Sequence, residues 1–237
     1  EFHAEPKLDA EPRQLRKLSV EGRAGERRLR GARAQRATGL LVAVGDGRLA
    51  IRGRGIEADI ALRPAGTPME VTSPHGDSYI WTRKDPVRAV GTLTCEGRTW
   101  QVDAAGLIDA SAGYHARHTA WEWSAGVGTA SDGRAVAWNL VTGVHDLEAA
   151  SERTVWTDGE PHEVGPVRFL ADLDGVAFAE EEAALGFRAE AERARRDDLK
   201  LFASEYRQPF GTFSGSLPGG ITLAEGYGVM ERHDVRW

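Results

Sequence analysis

From about residue 39 onward, apolar and polar residues alternate in short runs broken by glycine turns, and this period of two constrains the fold more than any other feature. Successive side chains of a strand point to opposite faces, so each run buries one face and wets the other. TGLLVAVGDGRLAIRG reads as two strands about Gly45-Asp46-Gly47, and IEADIALRP continues with Ile56, Ala58 and Ile60 on one side. SYIWTRKD is another short strand. VRAVGTLTCEGRTWQVDAAG is a hairpin about Glu96-Gly97, and RTVWTDGEPHEVGPVRF is one about Asp158-Gly159. A two-residue X-Gly turn between alternating runs is the sharpest short-range hairpin signal. HTAWEWSAGVG and GRAVAWNLVTG pair across Thr129 to Asp132.

The run AEEEAALGFRAEAERARR is rich in helix formers. Yet Leu185, Phe187, Ala189 and Ala191 alternate strictly with Gly186, Arg188, Glu190 and Glu192, which predicts a strand from about residue 185. The last strands come from DDLKLFASEYRQPFGTFSGSL and ITLAEGYGVMERHDVRW, broken at Pro218-Gly219-Gly220. Gln208-Pro209 argues for an edge or a bend, because proline has no hydrogen to give a ladder. A dozen or so short strands with tight turns and little helix specify an all-β fold: an antiparallel barrel or sandwich, or two packed barrels.

Composition narrows the class. With 237 residues, seven Trp and seven Phe, the chain can bury a sizeable core. The net charge of −6 gives no general case for nucleic acid. Charge is uneven: residues 1–36 hold ten Lys/Arg against six Asp/Glu, a formal +4, and the rest holds 20 against 30, a formal −10. The first 36 residues read as a basic, weakly patterned arm, solvated or set against an anionic partner. No run approaches the ~18 apolar residues of a membrane helix. One cysteine, Cys95, rules out an intramolecular disulfide and sits in a strand-turn-strand pattern as a small core residue. With no apolar secretory segment at the start, a cytoplasmic location is expected.

Three stretches carry candidate chemistry. In GYHARHTAWEW, taken as a strand, His115, Arg117, Thr119, Trp121 and Trp123 share one face, with Tyr114, Ala116, His118, Ala120 and Glu122 on the other. The first face suits a ligand wall, with two indoles for apolar contact and a cation and an imidazole for orientation; it equally suits tryptophans in a core with His and Arg at the rim. In YGVMERHDVRW, Tyr227, Val229, Glu231, His233, Val235 and Trp237 share a face. Glu231 and His233 could work as an acid/base pair, each tuning the other, or as a buried ion pair fixing the last strand. In RQPFGTFSG, Phe210 and Phe213 lie among glycines, as at a tight corner or a pocket mouth.

Other chemistries lack their residues. His115 and His118 would lie on opposite faces of a strand and could not share a metal, there is no H-E-x-x-H helix, and a lone Cys excludes a Cys-rich zinc site, so no metal is expected. No G-x-S-x-G elbow occurs. No strand leads into a G-x-G-x-x-G opening a helix, and no phosphate loop is present, so no cofactor is expected.

The segments DASAGYHARHTAWEWSAGVG, DGRAVAWNLVTG, ERTVWTDGEPHEVGPVRF, YRQPFGTFSG and EGYGVMERHDVRW occur in an order that resembles domain-of-unknown-function family 2804. The resemblance runs from about residue 74 to Trp237 and includes W-x-W, G-R-x-V-x-x-N-L, W-x-D-G, Q-x-F-G-x-x-x-G and E-x-H-x-x-R-W. It implies a lipocalin-like protein of two β-barrel-like halves, distantly similar to carotenoid 1,2-hydratase and AttH-like proteins. The expected division is the arm over 1–36, a short or incomplete first half over 37–110 and a second half over 111–237. Thr119, Trp121, Trp123, Asn139, Glu231, His233, Arg236 and Trp237 match retained family positions, whereas the Tyr114–His118 stretch varies. Relatives in the wider group act on polyenes, terpenoids or polyketides as hydratases, cyclases or isomerases.

The combined expectation is an apolar small-molecule site. Trp121, Trp123, Trp138 and Asn139 line it, His115 and Arg117 orient the ligand, and Glu231 and His233 are the catalytic candidates. A non-catalytic carrier or sensor of lipophilic ligands, and a purely structural β-protein, are the alternatives.

Overall fold

The computed structural model describes residues 25–29, 32–37, 39–75, 77–148, 150–199 and 202–236. The described residues form seventeen strands and no helix: β1 (Gly25–Leu29), β2 (Ala32–Ala37), β3 (Leu40–Gly45), β4 (Arg48–Gly53), β5 (Ile56–Pro64), β6 (Met69–His75), β7 (Ser78–Cys95), β8 (Arg98–Gly113), β9 (His118–Ala130), β10 (Ala135–Thr142), β11 (Thr154–Thr157), β12 (Glu160–Glu163), β13 (Val167–Phe169), β14 (Gly175–Phe178), β15 (Ala184–Leu199), β16 (Phe202–Leu217) and β17 (Ile221–Arg236). Strand β1 and all of β2 but its last residue fall within the segment read as an arm; the rest of that segment lies outside the described residues.

Every ladder among these strands is antiparallel. The first sheet runs β1-β2-β3-β4-β5-β7, with β6 sharing an edge of β7 and β8 on the other edge. The second runs β12-β11-β10-β9-β17-β16-β15-β14-β13. β13 curls round to touch β10. Neighbours in sequence are nearly always neighbours in space, the up-and-down order of a lipocalin-like fold. The hairpin signals fall where the alternation placed them: Asp46-Gly47, Glu96-Gly97 and Asp158-Gly159 all turn with positive φ at both residues, the primed-turn geometry that matches strand twist.

β15 is a strand despite its Ala and Glu, because Leu185 and Phe187 must reach the core on alternate residues. Pro209 lies on an interior strand and not at an edge: β16 pairs with both β15 and β17. The register of β15 shifts between Ala189 and Ala191, one partner away from Pro209, and such a bulge accommodates the missing hydrogen.

The core belongs to the second sheet. Trp138, Leu140, Val155, Leu173, Val176, Leu185, Phe213, Leu217 and Met230 pack together inside its curl. Trp138 pairs with Gly126 across the β9–β10 ladder, and its indole covers that glycine: a Cβ on Gly126 would stand 2.1 Å from the ring. The first sheet has one apolar face, with the cross-strand row Val42, Ile51, Ala58, Leu93 and Trp100. Its other face carries the ion pairs Arg48–Asp59, Arg52–Glu57 and Arg88–Asp103. These pairs are exposed and add little stability.

The two sheets meet along a seam. Gly66 and Gly159 approach so closely that a Cβ on Gly66 would lie 2.6 Å from the Gly159 carbonyl. Beside them Thr67 donates its amide to Gly159 O (2.8 Å), and Trp156 donates its indole hydrogen to Thr67 O (2.8 Å).

Candidate active site at the seam

Register decides which side chains share a face. Trp121 pairs with His233 and Trp123 with Glu231 across β9 and β17, while Tyr206 pairs with His233 across β16 and β17. These five groups therefore look the same way. Asn139 of β10, paired with Ala125, joins them. Trp138, one residue earlier, faces the opposite side and is fully buried in the core, where its indole donates to Ser124 Oγ at 3.2 Å.

Glu231 is 8% exposed. Its Oε1 accepts from Trp121 Nε1 at 2.7 Å and its Oε2 from Gln208 Nε2 at 2.8 Å. His233 touches the same indole edge-on, at 4.5 Å between ring centroids, and Tyr206 at 5.1 Å. Its Nε2 bonds Ser204 Oγ at 2.9 Å. The two candidate catalytic groups are thus joined through Trp121 and not to each other.

Burial moves both groups toward neutrality. It pushes the Glu231 carboxyl up, opposed by hydrogen bonds from Trp121, Tyr206 and Gln208 and reinforced by the charge of Asp109. It holds the His233 imidazole down at about 4, with Asp234 pulling the other way. The Tyr206 hydroxyl is pushed upward, by burial first and then by the Glu231 charge. A carboxyl driven toward its acid form beside an imidazole kept in its base form is an acid and a base set apart by environment.

The stretch before β9 departs from the expected alternation. β8 ends at Gly113 and β9 begins only at His118, so residues 114–117 form an irregular loop. His115 nevertheless reaches the site, stacking against Trp121 at 6.2 Å and meeting His75 of β6 at 5.5 Å. Arg117 is exposed on that loop. His118 points elsewhere, to an exposed pair with Asp234. Trp237 lies outside the described residues.

Several groups of the seam give no local signal in the sequence. Lys84 of β7 is buried and donates to Asp109 Oδ1 (2.6 Å) and Thr82 Oγ1 (2.8 Å), with Glu152 Oε2 at 3.5 Å. His145 Nδ1 meets Ser73 Oγ at 2.7 Å, and burial with the nearby Lys84 charge holds it at about 4. His75 Nε2 bonds Thr119 Oγ1 at 3.2 Å. An alternation count over SYIWTRKD would have flagged Lys84, since it shares parity with Ile80 and Thr82. The hairpin about Glu96-Gly97 then sets Asp109 opposite Lys84, whereas nothing local foretells Glu152, Tyr206 or Gln208. Among the described residues, no group of three or more His, Cys, Asp or Glu is placed to hold a metal ion, and no helix is long and apolar enough to cross a membrane.

A family profile described as a domain of unknown function (DUF2804) matches residues 12–237, extending the likeness through the first sheet. No curated protein matches significantly. Among solved structures, an AttH-like protein from Nitrosomonas europaea is similar at 14% identity and TM-score 0.49, covering 84% of this chain and 68% of that one. Kievitone hydratase from Nectria haematococca is similar at 12% identity and TM-score 0.46, covering 84% of this chain and 65% of that one. CghA is similar at 13% identity and TM-score 0.41, covering 90% of this chain and 70% of that one. The chain therefore spans about two thirds of the length of these structures.

Proposed function

We propose a function for this chain, which belongs to the DUF2804 family, from its own residues: a lipocalin-like protein that binds an apolar small molecule and acts on it as a cofactor-independent hydratase, cyclase or isomerase. The ligand class is a polyene, terpenoid, polyketide or lipid. The observation that carries this is the Glu231–Trp121–His233 constellation, in which burial drives the carboxyl toward its acid form and the imidazole toward its base form across one indole.

The chemistry balances without an outside reagent. Glu231 gives its proton to one carbon of an alkene, and positive charge develops on the other carbon. The faces of Trp121 and Trp123 stabilise that charge. In a hydration, His233 takes a proton from water as its oxygen bonds the cation; in an isomerisation or cyclisation, His233 takes the proton from carbon. Proton return from His233 to Glu231 resets the pair. His115 and Asn139 fix the indoles, and Arg117 stands at the rim for a polar end of the ligand. A reducing, cytoplasmic setting suits the free Cys95.

The test is native mass spectrometry of the protein purified from its own host, followed by turnover of whatever lipophilic molecule co-purifies in D2O. Solvent deuterium should enter the product. An E231Q/H233N variant that turns over at the unsubstituted rate would sink the enzymatic reading. A carrier or sensor is the second reading. It is favoured by the apolar strip beyond the acid, Val127, Val229, Phe210 and Tyr227, the last two 40% and 53% exposed, which serves binding but no proton transfer.

A further inference from the structure

The wall indole Trp123 is tied to the first sheet by one continuous relay. Trp123 Nε1 donates to Asn139 Oδ1 at 2.8 Å. Asn139, fully buried, donates from Nδ2 to the Glu152 backbone carbonyl at 2.9 Å. The Glu152 side chain, in a residue only 4% exposed, meets Lys84 Nζ at 3.5 Å. Lys84 stands on β7 of the other sheet, bonded to Asp109 and Thr82 there, and its ammonium lies 6.0 Å from the centroid of the Trp123 ring. The first sheet thus reaches Trp123 twice, through the relay and directly beneath the ring.

We infer that Lys84 is a positioning residue: through Glu152 and Asn139 it makes the orientation of Trp123 depend on docking of the first sheet. Stability alone is a poor reason for such a contact. A buried ion pair repays its desolvation only narrowly, and apolar residues of similar volume often serve as well or better. What an ammonium between two carboxylates adds is direction, because each partner must sit at hydrogen-bond distance for the charge to be tolerated at all. Lys84 donates to Asp109 and Thr82 and has the Glu152 carboxylate at 3.5 Å, so it is a fixed strut and not a free cation awaiting a ligand. Glu152 lies in the loop between β10 and β11, and it holds Asn139 through its backbone carbonyl, with its carboxylate also interacting with the Asn139 and Thr82 side chains. The carboxylate anchors the loop and the loop carries the carbonyl. Loss of the anchor therefore loosens Trp123 without deleting any group that touches it except Lys84.

The relay exists whether or not Glu231 turns over a substrate, so it is read on the protein alone. In the 15N-labelled full chain, hydrogen exchange of the Trp123 indole N–H, assigned with W123F, is followed beside that of Trp138, whose bond to Ser124 lies in the core. K84M and the double variant K84M/E152M, which leaves no unpaired buried charge at this contact, should each exchange the Trp123 indole tenfold or more faster while Trp138 keeps its protection. E152Q retains an acceptor for Lys84 and should leave Trp123 as protected as before. Unchanged Trp123 protection in a folded K84M/E152M would overturn the inference. Equal acceleration at both indoles would overturn it as well, since it would show a contact that only holds the fold.

Discussion

Trp121 donates its indole hydrogen to Glu231 at 2.7 Å, and the same ring meets His233 at 4.5 Å. One side chain thus sits against both groups proposed for proton transfer. Its replacement should change both at once, which separates it from tryptophans that serve only as wall or core.

The pH dependence of turnover follows from the directions of the two shifts. Glu231 must carry its proton to donate it, so the rate should fall as pH rises through its raised pKa. His233 must be neutral to accept a proton, so the rate should also fall as pH drops toward about 4. E231Q should lower turnover by ~100-fold or more and remove the alkaline limb. H233N should remove the acid limb. A flat profile in the unsubstituted protein would contradict both assignments.

Stability should fall on acidification for a reason located at the seam and the site. His145 and His233 both titrate near 4 in the folded chain against 6.5 when free. Unfolded imidazoles take up protons below about 6.5 that the folded ones refuse. Their contribution is complete above that pH and is lost as pH falls through 4. Glu231 and Glu152, pushed up by burial, work in the opposite sense, stabilising while protonated and losing that share as pH rises. The comparison therefore needs a variant. The drop in melting temperature from pH 7 to pH 4.5 should be smaller in H145N/H233N, and an equal drop would rule out the two imidazoles as its origin.

Gly126 should tolerate no side chain. Its Cβ would overlap the Trp138 ring, which is itself enclosed by the core. G126A should cost ~1–3 kcal/mol through forced repacking, read as a lower urea midpoint. G106A, where a Cβ would meet only Val87 Cγ2 at an ordinary 3.5 Å, controls for chain stiffness.

Asn139 should be costly to replace although it is neutral. N139A leaves the Glu152 carbonyl and the Trp123 indole without their partners in a buried setting, for ~1–3 kcal/mol. Chemical denaturation gives the cost. The Trp123 emission should shift to the red if the indole reaches water, and an unmoved spectrum would show that Asn139 does not hold it.

The hairpins and the strand nature of β15 were legible because turn chemistry and alternation are local. Faces were legible only as parity. Trp138 and Asn139 are adjacent, so a strand must send them to opposite sides; only register with Gly126 and Ala125 tells which one meets Trp123. Alternation also runs on past a strand's true start, which is why His115 and Arg117 read as strand residues although β9 begins at His118. The seam was least legible. Lys84 and Glu152 lie 68 positions apart and His145 and Ser73 lie 72 apart, and no local pattern records a contact made by docking two sheets.

β17 lies between β9 and β16, and Trp121 finds Glu231 across 110 positions of chain. Pairings so distant close slowly, because the intervening loop must be ordered before they are rewarded. On a ribosome, β9 would emerge with β10 to pair on one side and would wait for β17 on the other. The proposed acid and base, Glu231 and His233, travel on that late strand. A nascent chain arrested before residue 221 would lack both, together with the central rung of its larger sheet, so the proposed site and the sheet are completed in the same event.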